Sequence, residues 1–120
     1  MNEKDIKGSQ GEETACKYLS RQGMSVIKRR YRLACGEIDI IAEDGKTLVF
    51  VEVKYRKNDS FGGAVCAVGS AKQKRMVSTA LSYIKETGKR PDSIRFDVVA
   101  VTGESTEHIP NAFTPERFSY

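Results

Sequence analysis

The stretch Gly36–Arg56, GEIDIIAEDGKTLVFVEVKYR, predicts a β-hairpin around which the rest of the chain is organised. Isoleucine dominates residues 36–42, and β-branched residues recur through residues 47–55, as is typical of strands. Between them, Asp44-Gly45 is a dipeptide that favours a two-residue type I′ turn. We therefore predict two antiparallel strands joined by a tight turn.

The hairpin brings charged residues together beside apolar ones. With Asp44 and Gly45 at the centre of the turn, the numbers of paired residues add up to 89, and Asp39 lies diagonal to Glu52. Diagonal neighbours are roughly 7–8 Å apart, so that two carboxylates can reach one cation. Because side chains alternate along a strand, Lys54 lies on the same face as Glu52.

Two interpretations of this cluster are open. Lys54 can simply pair with Glu52 or Asp39 on a solvated sheet face, as most strand charges do. However, residues 48–53 are nearly all apolar, which predicts a central strand covered on both faces. Charges in such a strand are costly unless they coordinate something, so this pattern favours a functional site.

The order Asp39, twelve residues, Glu52-Val53-Lys54 resembles the D…(D/E)-x-K signature of the restriction-endonuclease-like PD-(D/E)XK nucleases, although Ile38 stands where proline would precede the aspartate. The smallest members of that superfamily include the archaeal Holliday junction resolvases. The segments GEETACKYL, AKQKR and RFDVVAV, together with the hairpin, are similar to the bacterial YraN family over residues 8–113. This resemblance implies an α/β fold, with a mixed β-sheet flanked by two main helices in the order α-β-β-β-α-β.

Length and composition place limits on the protein. Its 120 residues suit a single domain over residues 1–120. No apolar run approaches the roughly 20 residues that span a bilayer, and MNEKDIKGSQ has no signal-peptide pattern, so we expect a cytoplasmic protein. The net charge of +4 suits an anionic partner, although such a surplus is also common in proteins that bind nothing charged. Three widely spaced cysteines and the isolated His108 predict reduced thiols and no zinc site.

Glu12 has two alternative roles. Ser9 to Glu12 fits a capping box that opens a helix ending near Arg21. Glu12 also lies at the head of the stripe formed by Ala15, Cys16 and Leu19, which predicts a position facing the sheet. The resemblance implies a first-helix glutamate that is an additional metal or site ligand, and Glu12 occupies that place. The two roles exclude each other in any one conformation.

Basic residues mark two further segments. In a strand predicted from Met24 to Leu33, alternation places Lys28, Arg30 and Arg32 on one face, where they either protect a sheet edge or follow a phosphate backbone. A second helix is predicted from a cap at Ser70 to about Thr87. Its predicted apolar stripe is Met76, Val77, Ala80, Leu81 and Ile84.

The last third of the chain is less informative. A further strand is predicted over Ile94–Val101, in which Asp97 is interpreted as a fold or edge carboxylate rather than a fourth ligand. The tail from Glu107 onward gives no clear pattern.

The function that the resemblance implies is a metal-dependent endonuclease that hydrolyses phosphodiester bonds in nucleic acid, in particular structured or branched DNA. Asp39 and Glu52 would hold Mg²⁺, or Mn²⁺ in its place, with Glu12 as an outer ligand and Lys54 acting on the water and the transition state. The alternatives are a non-catalytic nucleic-acid-binding module and a protein-interaction adaptor with a buried ion network. A homodimer is possible. The residues predicted to contact nucleic acid are Arg30, Arg32, Arg56, Lys72, Gln73 and Arg75.

Overall fold

A computed structural model describes residues 3–55, 68–103 and 105–115, with side chains from residue 10 onward. The fold class predicted from the sequence is confirmed, since two helices flank a mixed sheet of five strands within these ranges. The elements in chain order are α1 (Glu3–Arg21), β1 (Ser25–Leu33), β2 (Gly36–Asp44), β3 (Thr47–Tyr55), α2 (Ser70–Thr87), β4 (Ser93–Val101) and β5 (Thr106–Phe113).

The sheet follows the chain order β1-β2-β3-β4-β5, with β3 at its centre. The β3–β4 pair is parallel and is connected through α2, whereas the other neighbours are antiparallel. Leu48 and Phe50 belong to the apolar cluster that packs against α2, and Val49 and Val51 belong to the cluster that packs against α1. The prediction that this strand is covered on both faces is therefore confirmed.

The hairpin forms as predicted, but its pairing is shifted by two residues. Ile40 faces Val51 and Asp44 faces Thr47, so paired numbers add up to 91 rather than 89. The central turn residues are accordingly Gly45 and Lys46, with φ of 62° at Gly45, which suits the first position of a type II′ turn. Asp39 is consequently directly across from Glu52 and is not diagonal to it.

Strand β1 departs from regular alternation. It has a bulge between Val26 and Lys28, and Arg30 has a left-handed φ of 52°. Arg30 contacts Glu12 of α1, whereas Lys28 lies over the ring of Tyr31, which belongs to the cluster on the α2 side. The prediction that Lys28 and Arg30 share a face is wrong, because alternation assumes an extended backbone at every residue.

The helix ends are partly as predicted. α1 begins at Glu3, so Ser9 lies within it and the predicted cap there is wrong. α2 ends at Thr87 as predicted, but its N-cap is Gly69 rather than Ser70. Its buried face is also rotated from the predicted stripe, because Val77 is only partly buried. The buried residues of α2 are Met76, Thr79, Ala80, Tyr83 and Ile84.

Strand β5 was not predicted. It pairs with β4 through a register shift and contains Asn111, whose φ is 52°, so it lacks the regular period of a strand. Asp97, fully buried on β4, accepts hydrogen bonds from the Arg95 guanidinium and the Asn111 backbone N–H, and its carboxylate contacts His108 Nε2 at 2.7 Å. These contacts confirm that Asp97 supports the fold.

Two further sequence-based expectations can be compared with the structure. Cys16 and Cys35 are free thiols, whereas Cys66 lies outside the described residues. The described helices are too short or too polar to cross a membrane.

Candidate active site

The candidate site forms where β2 and β3 stop pairing with each other. Their regular register runs from the turn as far as Ile40 and Val51. Beyond that point, the backbone N–H of Val53 donates to Asp39 Oδ2 at 2.8 Å. A carboxylate thus replaces a backbone carbonyl as the acceptor, and this places Asp39 in the fork between the two strands.

Glu52 stands directly beside Asp39 in this fork. Its side chain is only 7% exposed, and the two carboxyl groups are in hydrogen-bonding contact. Burial, together with the adjacent Glu52 carboxylate, raises the pKa of Asp39 to about 8. Glu52 is buried and Asp39 is half-buried. Two carboxylates in contact, shielded from water in this way, retain a proton or are stabilised by a nearby cation.

Two basic side chains supply positive charge around the fork. Lys72 Nζ, from the first turn of α2, lies 2.5 Å from Glu52 Oε2. Arg30 Nε, from β1, donates to Glu12 Oε2 at 2.7 Å, and Arg29 approaches the same oxygen at 3.9 Å. The Glu12 charge is also close enough to raise the pKa of Asp39 further. Five separate elements, α1, β1, β2, β3 and α2, therefore contribute charged groups to one region.

Lys54 borders the same region, as the predicted D…E-x-K order requires. It is half-buried and lines a cleft of about 310 Å³ together with Glu52 and Lys72. The cleft is large enough for several water molecules or a phosphate group. Its other described lining residues are Val53, Tyr55, Val68 and Gly69.

The donor set of the fork suits a hard divalent cation better than a soft one. Among the residues with described side chains, no three Asp, Glu, His or Cys side chains converge closely enough to hold a metal ion. The convergent groups are instead the two carboxyls of Asp39 and Glu52. Mg²⁺ is commonly held by one or two carboxylates plus waters and substrate phosphates, so a carboxylate pair fits it. Glu12 is ion-paired with Arg30, and its role as a third ligand stays a prediction.

The residues predicted to contact nucleic acid differ in their surroundings. Arg30 and Lys72 reach the acidic residues of the site, as described above. Gln73 has a local structural contact, because its Nε2 donates to the backbone carbonyl of Val68 at 2.7 Å. Arg32 pairs with Glu37 at the exposed surface, 3.2 Å apart. The side chain of Arg75 is exposed, and Arg56 lies outside the described residues.

The sequence did not predict the contact between Tyr55 and Gly11 near the site. The ring of Tyr55 packs against Gly11, where an added Cβ would lie 3.2 Å from Tyr55 Cδ2. This close approach lets α1 lie against the end of β3 and brings the next residue, Glu12, toward the fork. Glycine is unfavourable inside a helix, so the Gly-Glu dipeptide itself was the available signal.

The sequence profile of the Uncharacterised protein family UPF0102 matches residues 11–101, which include both halves of the fork and the start of α2. The chain belongs to UPF0102. A UPF0102 protein from Desulfosudis oleivorans is 44% identical over 115 residues, covering 94% of each chain. Another, from a Janthinobacterium species, is 41% identical over 109 residues, covering 91% of this chain and 88% of that protein.

A solved structure supports the fold of this UPF0102 chain. Hjc from Archaeoglobus fulgidus, a Holliday junction resolvase from an archaeal hyperthermophile, matches with a TM-score of 0.52. The match covers 87% of this chain and 72% of Hjc, at 20% identity. The resemblance to the YraN family and to the archaeal resolvases is thus confirmed, and the UPF0102 chain has a restriction-endonuclease-like fold.

Proposed function

We propose that this UPF0102 protein is a metal-dependent endonuclease that hydrolyses phosphodiester bonds in nucleic acid. The observation that carries the proposal is the contact between the Asp39 and Glu52 carboxyl groups in the fork between β2 and β3. Lys54 follows two residues later and lines the adjoining cleft. Two acids and an amine in this order supply the groups that phosphodiester hydrolysis requires.

Asp39 and Glu52 would hold Mg²⁺ or Mn²⁺. The positive charge of the ion would favour the ionised form of Asp39 and so oppose the rise in its pKa. When bound, such an ion activates water and neutralises charge on the phosphate. Lys54 would orient the water and stabilise the negative charge that develops in the transition state. Burial of Glu52 keeps water from weakening these interactions.

The proposal extends to the class of substrate. Arg30, Arg32, Lys72 and Arg75 would contact phosphates without reading bases, which fits recognition of shape rather than sequence. The name of Hjc points to branched DNA, and we extend that substrate to this chain as a proposal. DNA junctions and flaps are therefore the first substrates to test.

A second candidate is a nucleic-acid-binding module without turnover. The ion pairs of Lys72 with Glu52 and of Arg30 with Glu12 favour it, because a network balanced by its own side chains needs no catalytic ion. In this alternative the fold and the phosphate contacts are the same, but the protein does not hydrolyse phosphodiester bonds.

A cleavage assay separates the two candidates. Four-way junctions, flaps, single strands and linear duplexes would be incubated with Mg²⁺ or Mn²⁺ and the wild-type protein. Cleavage of any of them supports the endonuclease. Absence of cleavage from all four, with retained binding, supports the non-catalytic module.

Variants then test the assigned roles. Lys54→Ala should retain divalent-ion and DNA binding while cleavage falls by ~10²–10³, the usual cost of losing one electrostatic stabiliser. Glu52→Gln keeps the shape of the side chain but should weaken divalent-ion binding. Glu43→Gln, which changes a partly exposed carboxylate near the turn of the same hairpin, where it pairs with Lys89, is the matched control and should behave as the wild type. Unfolding of Lys54→Ala would instead identify Lys54 as a structural counter-ion.

A further inference from the structure

Among the described basic side chains, Lys72 lies closest to the Glu52 carboxylate of the fork. Its ammonium is 2.5 Å from Glu52 Oε2, although the two residues belong to different elements. The Lys72 side chain is 46% exposed, while the Glu52 side chain is 7% exposed. A flexible, solvent-accessible cation therefore covers a buried anion at the mouth of the cleft.

The position of Lys72 is unfavourable for reasons internal to α2. It lies in the first turn, where the positive end of the helix dipole disfavours a cation, and that turn contains no acidic residue. Glu52 compensates by placing a negative charge against the ammonium. In return, Lys72 neutralises a carboxylate that would be costly to bury alone.

We propose that Lys72 is the resident cation of this site, occupying Glu52 in the ion-free protein and leaving it when a divalent ion binds. This inference rests on the proposed metal-dependent function. The two cations compete for one carboxylate, so the strength of the Lys72–Glu52 pair sets how tightly the ion binds. The displaced ammonium extends from the exposed rim of the cleft, where it can meet a phosphate.

Calorimetric titration with Mn²⁺, without nucleic acid, measures this competition. Lys72→Ala removes the competitor and a nearby positive charge, so Mn²⁺ should bind about fivefold more tightly or better, as expected for an ion pair worth about 1 kcal/mol. Lys74→Ala is the matched control, since it makes the same change at an exposed position of the same helix. Its Mn²⁺ affinity should stay near that of the wild type.

A second measurement needs no variant. An ammonium that is held against a buried carboxylate is less accessible to an acetylating reagent than one that extends into solvent. Saturating Mn²⁺ should therefore raise the acetylation rate of Lys72 in the wild-type protein relative to that of Lys74, as measured by mass spectrometry of peptides.

The outcomes distinguish this inference from the proposed function. Equal Mn²⁺ affinities for the Lys72→Ala and Lys74→Ala variants, or an acetylation rate at Lys72 that Mn²⁺ leaves unchanged, would overturn the resident-cation role while leaving metal-dependent chemistry intact. A wild-type protein that takes up no Mn²⁺ would overturn both.

Discussion

Arg30 occupies a backbone conformation that few side chains adopt within a strand. Its φ of 52° costs a non-glycine residue roughly 1–2 kcal/mol. This distortion turns its guanidinium toward α1, where Nε donates to Glu12 Oε2 at 2.7 Å, and Arg29 approaches the same carboxylate. Arg29 itself donates to Glu13 at 2.9 Å. The left-handed residue thus places two neighbouring arginines against adjacent glutamates of α1, which regular alternation does not allow.

A pair of substitutions separates the backbone cost from the side-chain contact. Arg30→Gly and Arg30→Ala both remove the guanidinium, but only glycine adopts a positive φ without strain. We expect Arg30→Gly to have the higher free energy of unfolding, by about 1 kcal/mol, in urea denaturation. Arg32, whose φ is not positive, provides the control. There the order should reverse, with alanine more stable than glycine by roughly 0.5–1 kcal/mol.

Strand β5 depends on one buried carboxylate for its attachment to the sheet. Asp97 of β4 is fully buried and is bound from three directions, by Arg95, His108 and the backbone N–H of Asn111. Burial alone would raise the pKa of Asp97, but the hydrogen bonds from His108 and Arg95 outweigh it and hold that pKa below 3.8. The ionised carboxylate is therefore the form that stabilises the folded protein.

Asp97→Asn should lower the free energy of unfolding at pH 7 by about 1.5–3 kcal/mol, the usual range for hydrogen bonds to charged groups. The folded pKa lies below the unfolded pKa, so the stabilisation is present above the unfolded pKa and is lost as the pH falls through the folded one. Wild type and variant should accordingly converge as urea denaturation is repeated at decreasing pH below about 4. Asp92→Asn, at an exposed position, should change stability by less than about 0.5 kcal/mol at either end of this range. A constant gap between wild type and Asp97→Asn would contradict this account.

The hairpin shows how far the sequence predicts an element. The pattern of apolar residues in β2 and β3 predicts that Asp39 and Glu52 lie on the same face of the sheet, and this prediction is correct. The exact register was not, because the sequence Asp44-Gly45-Lys46 suits either a type I′ turn centred on its first two residues or a type II′ turn centred on its last two. Both turns preserve the face, which explains why the site could be predicted although its register was wrong.

Other features depend on contacts between distant parts of the chain. The Lys72–Glu52 pair joins two elements across the parallel crossover, and the Asp97 contacts determine where β5 lies. Neither set of contacts can be predicted from the hydrophobic periodicity of a single segment. The left-handed conformations of Arg30 and Asn111 likewise cannot be predicted from the sequence pattern. Side-chain alternation in a strand assumes that every residue has an extended φ.

At the scale of the whole molecule, the charge distribution matters more than the net charge of +4. The hairpin turn lies about 20 Å from the fork, because Glu52 is six residues further along the extended chain than Lys46. Arg32 lies closer to the fork, and its exposed pair with Glu37 is of the kind worth about 0–1 kcal/mol. A phosphate can therefore readily take the place of Glu37.

Arg32→Gln should weaken DNA binding to a similar extent for all sequences, since phosphate contacts carry no base information. Loss of one such contact to a duplex should reduce the slope of log affinity against log salt by about 0.9. Fluorescence anisotropy over a series of salt concentrations measures both effects. Lys46→Gln makes the same charge change at the distant turn and should leave the slope unchanged. An identical slope for Arg32→Gln would mean that β1 protects the sheet edge and that DNA lies elsewhere.

The hydrogen bond from Val53 to Asp39 makes one backbone amide a reporter on the fork. Neighbouring amides of β3 are bonded to backbone carbonyls, but the Val53 N–H depends on a titratable side chain at 2.8 Å. Its rate of deuterium uptake should therefore change when Asp39 is substituted by alanine or engages a divalent ion, while the Val51 amide, which lies inside the regular register, exchanges as before. Exchange measured residue by residue in NMR spectra would follow the state of the carboxylate without a substrate or a turnover event.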